Sequence, residues 1–142
     1  MRLVPVSDTR YVTRGGLVTP LLKNKLEEVL GHYVDVALFW SSKRGKSRSD
    51  YTIREAHLIG SVLRGVDNSD LDLLLVADKI EQQDYKFIKM YLSEIFFNNV
   101  SKPLAIDVFI RPYDEFPERG SFEITDQVKG LLKKYNSNII GV

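Results

Sequence analysis

The run LIGSVLRGVDNSDLDLLLV, Leu58–Val76, decides how this chain is read. It passes from apolar residues into Gly60-Ser61, crosses a short polar loop, and sets Asp70 and Asp72 in an otherwise apolar strand. Strand interiors disfavour Asp, and an unpaired buried carboxylate is costly. Side chains alternate along a strand, so Asp70 and Asp72 share one face while Leu71 and Leu73 turn to the other, toward a core. LAIDVFI, Leu104–Ile110, repeats the theme with a single acid, Asp107. If that strand pairs beside the first, three carboxylates converge. At ~6 Å and an effective dielectric of ~20, each pair repels by roughly 3 kcal/mol, a sizeable part of a small domain's stability. Divalent cations remove this repulsion, and oxygen-rich sets suit Mg²⁺ or Mn²⁺. The plainer alternative is separate, solvated acids at a strand rim.

The other half of the run suits phosphate. Gly60 lets the backbone approach a ligand closely, and Ser61 adds a hydroxyl and its own N–H. If Ser61 to Arg64 opens a helical turn, free N–H groups face an anion, and Arg64 can bond phosphate oxygens. Gly65 permits the reversal into VDNSD. Ser69 reads first as a turn residue and second as a nucleotide contact. Phosphates held at one end and metal ligands at the other are what phosphoryl transfer needs.

Together, GSVLRGVDNSDLDL and LAIDVFI resemble the signature of the DNA polymerase beta-like nucleotidyltransferase superfamily, in its minimal nucleotidyltransferase branch. The likeness spans Leu58 to Ile110. Eight residues separate Ser61 from Asp70, at or below the short end for that family. The resemblance implies a short, twisted, mixed sheet flanked by helices. It also implies an enzyme that moves a nucleoside monophosphate from an NTP, ATP first among them, to a hydroxyl acceptor. Gly60 and Ser61 would hold the β- and γ-phosphates, Asp70 and Asp72 both metals, and Asp107 the catalytic metal and the acceptor's proton. The alternative it implies is a regulatory or antitoxin-type module that acts on or binds a partner protein. The acceptor is then a small molecule, a partner protein or an RNA.

Composition fits a single domain over residues 1–142. The chain is 44% hydrophobic and 27% charged, enough for a real core. Twenty Lys and Arg against nineteen Asp and Glu argue against a protein built to coat nucleic acid. The absence of Cys excludes disulfides, thiolate catalysis and Cys-bound zinc. No apolar run approaches the length of a membrane span, and the N-terminal MRLVPVSDTRYV lacks a signal core. A cytoplasmic protein without a membrane partner is expected.

The remaining elements follow from periodicity and punctuation. Residues 1–18 read as an arm or short strand. Thr19-Pro20 opens a helix that Gly31 would stop. YVDVALFW, Tyr33–Trp40, reads as a strand by its β-branched and aromatic content, and YTIREAHLIGS as its partner. The hairpin tip between them would carry Lys43, Arg44, Lys46 and Arg48 as a solvated basic patch, with an RNA, DNA or acidic partner as the sharper reading. His57 reads as a packed or solvated strand residue ahead of a catalytic base. Glu81–Phe97 and Phe122–Tyr135 read as helices. The whole is an α/β (α+β) layer architecture.

Overall fold

Thr19 caps the first helix as its sequence indicates: its Oγ1 accepts from the Leu22 N–H at 3.3 Å, with Pro20 in the first turn. The computed structural model describes residues 10–60, 70–98, 105–116 and 120–141. Helix α1 spans Pro20–Arg44, β1 Ile53–Ile59, β2 Leu71–Ala77, α2 Gln82–Phe96, β3 Ile106–Pro112, β4 Phe122–Glu123 and α3 Lys129–Ile140. Ahead of α1, Val12 and Val18 form an antiparallel bridge, and Tyr11 and Val12 enter the core. Residues 10–18, expected as part of an arm or short strand, form a turn closed by this single bridge.

Residues 33–40 are helical, which corrects the expected strand and abolishes the hairpin. Leu22, Leu26, Val29, Leu30, Tyr33, Val34, Val36, Ala37 and Ser41 are buried. That spacing is one helical stripe continued through Gly31, and a long buried stripe outweighs local β propensity. The helix stops instead at Gly45, whose φ of 64° is left-handed and whose N–H caps Ser41 and Ser42. The basic residues therefore belong to a helix end and the turn after it. Arg44 Nε donates to Asp84 Oδ1 at 2.9 Å, and Lys46 pairs with Glu81. Asp84, buried to 1% exposure, also accepts from Trp40 Nε1 at 2.8 Å, so one carboxylate ties α1 to α2.

The described strands form one mixed sheet, ordered β3-β2-β1-β4. β1 is antiparallel to β2 and to β4, and β2 is parallel to β3 across the α2 crossover. Leu71, Leu73, Leu75, Ile106, Val108 and Ile110 pack with α1 and α2 residues in one core. This is the small α+β sheet flanked by helices that was expected. The C-terminal helix begins later than its apolar stripe suggested: Phe122 and Glu123 pair with β1, a 3₁₀ turn covers Thr125–Val128, and only then does α3 start. The helix then runs on to Gly141, whose φ of 85° ends it. Asn136 of α3 gives and takes a 2.8 Å bond with the Ile53 backbone, pinning the helix to β1. Among the described residues no helix is long and apolar enough to cross a membrane.

Candidate functional site

The end of β1 and the starts of β2 and β3 meet at one edge of the sheet. Ile59 faces Asp72 across the antiparallel pair, and Asp72 faces Asp107 across the parallel pair. The alternation read from the sequence is observed: Leu71 and Leu73 are fully buried, while Asp72 and Asp107 are half-buried. Asp70 precedes β2 and is exposed, and its Oδ1 accepts from the Ala105 N–H at 3.4 Å. The same junction is closed by the Leu71 N–H on the Ala105 carbonyl at 3.1 Å. Two of the three acids are thus side by side, and the third lies beside the residue that leads into β3.

Gly60, expected to let the backbone approach a ligand closely, is instead seen packed against the Asp72 carboxylate. Its φ of 78° is left-handed, and a Cβ there would stand 2.9 Å from Asp72 Cγ and overlap Oδ2. Only glycine satisfies both the backbone angle and the space. Ser61, Arg64 and Ser69, the other candidate nucleotide contacts, lie outside the described residues, as does Gly65.

A residue that the sequence did not flag completes the site. Lys89 Nζ donates to Asp107 Oδ1 at 2.6 Å and to the Val108 carbonyl at 3.2 Å. It also sits 4.0 Å from the centre of the Phe109 ring. The lysine comes from α2, next to the buried Ile88, and reaches edge strand β3. Its ammonium adds a positive charge beside the two carboxylates and reduces part of their mutual repulsion. No local pattern marks Lys89, because its partner is on a strand that only the α2 crossover brings near.

Farther along the same sheet face, His57 is buried between Glu55 and Ser121. Its Nε2 lies 2.8 Å from Glu55 Oε1 and its Nδ1 3.0 Å from Ser121 Oγ. Strand register sets His57 opposite Glu123. The i, i+2 spacing of Glu55 and His57 was a legible sign of a shared face. Glu123 was hidden by the helical reading of its segment. The hollow of about 480 Å³ lined by Glu27, His32, Asp35, Phe96 and Tyr135 lies among the helices, away from both groups.

No protein-family model, curated protein or solved structure matches this chain.

Proposed function

We propose that the protein is a metal-dependent nucleotidyltransferase that moves a nucleoside monophosphate from an NTP, ATP first, to a hydroxyl acceptor. The observation that carries this reading is the register of Asp72 beside Asp107, with left-handed Gly60 seated against the Asp72 carboxylate. Asp70, Asp72 and Asp107 would hold Mg²⁺ or Mn²⁺, since an all-carboxylate oxygen set fits hard cations. When bound, the ions supply positive charge to the triphosphate and the acceptor oxygen. Gly60 leaves the chain after β1 without a side chain over Asp72, and Ser61, Arg64 and Ser69 would contact the phosphates. The acceptor oxygen bonds the α-phosphorus, the bond to the bridging oxygen breaks, and pyrophosphate leaves with that electron pair. Asp107 receives the hydroxyl proton. Lys89 must yield Asp107 Oδ1 for this, or leave the other oxygen to the task. A cytoplasmic location goes with this reading, because nucleoside triphosphates are available there, and the acceptor would be a partner protein, an RNA or a small molecule.

The Lys89–Asp107 pair favours a second reading, a regulatory or antitoxin-type module that binds a nucleotide and a partner protein without turnover. One experiment separates the two. The protein is incubated with each radiolabelled NTP, Mg²⁺ and cell extract, beside Asp70→Asn and Asp72→Asn. Labelled acceptor with wild type and none with either variant supports transfer. Metal-dependent NTP binding by calorimetry without labelling supports the module. Neither binding nor labelling with any of the four NTPs would sink both.

A further inference from the structure

We propose that Glu55, His57 and Glu123 bind one divalent transition-metal ion of the Zn²⁺ class, at a site distinct from the Asp70, Asp72 and Asp107 acids. One ligand atom from each lies within 4.8 Å of the other two. Two are neighbours on one face of β1, and β4, only two residues long, delivers the third opposite His57. One imidazole nitrogen and two carboxylates make a borderline donor set, which suits Zn²⁺ better than Mg²⁺.

The surroundings of His57 match those of a metal-binding imidazole. The residue is 4% exposed, and the Phe116 ring packs 4.8 Å from its own. A ligating histidine is oriented by a hydrogen bond at its other ring nitrogen. Ser121 Oγ, 3.0 Å from Nδ1, is that partner. With Nδ1 protonated and donating to Ser121, the Nε2 lone pair faces Glu55 Oε1 at 2.8 Å. Two lone pairs at that distance repel unless a cation lies between them. In the alternative neutral tautomer, a proton on Nε2 bonds Glu55 Oε1 while Ser121 donates to Nδ1. Metal binding needs the tautomer shift, for which Ser121 serves both forms by turning its hydroxyl, and a small rearrangement of the ligands. Ligands 2.0–2.1 Å from a tetrahedral Zn²⁺ stand roughly 3.3 Å apart, so Nε2 and Oε1, now 2.8 Å apart, must part slightly, and the exposed Glu123 carboxylate, within 4.8 Å of them, must draw in, both by side-chain rotation. Glu123 is exposed, which leaves the ion an entry and a coordination position for water.

The test uses Co²⁺ as a spectroscopic stand-in and does not depend on nucleotidyl transfer. Wild-type protein should develop a visible d–d band that saturates at one equivalent of Co²⁺ and is removed by Zn²⁺. Glu123→Gln, a surface change, should weaken Co²⁺ binding by about tenfold or more with an unchanged circular dichroism spectrum. His57→Gln should abolish the band, and Asp72→Asn should keep it. No band in the wild type, full affinity in Glu123→Gln, or loss of the band in Asp72→Asn would overturn the assignment. The third result would put the ion at the other acids, so failure here and failure of the nucleotidyltransferase reading stay distinct.

Discussion

Gly60, the residue after β1, leaves no room for a side chain beside the carboxylate of Asp72, the second residue of β2, so the two are packed as one unit. Gly60→Ala must strain a left-handed backbone and displace that carboxylate. We expect a loss of about 1–3 kcal/mol. In the double variant with Asp72→Ala the overlap with the carboxylate is gone, leaving the backbone strain and a tight 3.2 Å contact with the remaining Cβ. A double-mutant cycle by urea unfolding should therefore show a favourable coupling of about 0.5 kcal/mol or more. Additive losses would mean that the two residues are not packed together.

The Lys89–Asp107 pair makes a prediction about metal. Lys89 is one-third exposed, so its salt bridge alone is worth little, about 1 kcal/mol or less. Lys89→Met should lower the melting temperature slightly in EDTA, because Asp107 then loses its ammonium partner. Millimolar Mn²⁺ should raise the melting temperature of Lys89→Met more than that of the wild type, by ligand linkage. Identical Mn²⁺ shifts in thermal melts would show that Lys89 and the ion do not compete for Asp107.

Gly31 tests the long helix. It lies in the interior of α1, and a Cβ there would meet nothing within 4 Å. Gly31→Ala should stabilise by about 0.5–1 kcal/mol through helix propensity and reduced unfolded-state freedom. Were residues 33–40 a strand after a glycine stop, alanine would be neutral or harmful. Chemical denaturation of the two proteins decides it.

Two buried tyrosines should shape alkaline stability. Burial, and secondarily the charge of Asp84, pushes the Tyr51 phenol from 10.0 up to about 12. Burial drives Tyr33 upward too. The unfolded chain then releases these protons at lower pH than the native one, so stability is full below pH 10, where both states are protonated, and falls as pH rises through 12. Tyr51 Oη has no hydrogen-bond partner among the described residues, so Tyr51→Phe removes a buried orphan and should be neutral or stabilising by up to ~1 kcal/mol at neutral pH. Its decline in melting temperature between pH 10 and 12 should also be shallower than the wild type's. Tyr33→Phe instead loses the 2.5 Å bond to the Tyr51 carbonyl and should cost about 1 kcal/mol. An unchanged alkaline slope in both variants would show that neither phenol controls it.

What the sequence determined by itself was local and periodic. Alternation made Leu71 and Leu73 core residues and turned Asp72 outward. The lone Asp107 marked a second strand of the same kind, Thr19-Pro20 started α1, and the helical periodicity of Glu81–Phe97 announced α2. Each is written in the spacing of neighbouring residues, because a strand repeats every two residues and a helix every 3.6. Tyr33–Trp40 went the other way: β-branched and aromatic content imitated a strand, and only the sheet and helices that bury its stripe make it the second half of α1. The same holds for Phe122 and Glu123, which gain strand character only from β1 beside them. Tertiary structure alone brought Lys89 to Asp107, Glu123 to His57 and Arg44 to Asp84. Those partners are separated in sequence by 18, 66 and 40 positions, and electrostatic attraction across such separations acts only after chain topology has closed them.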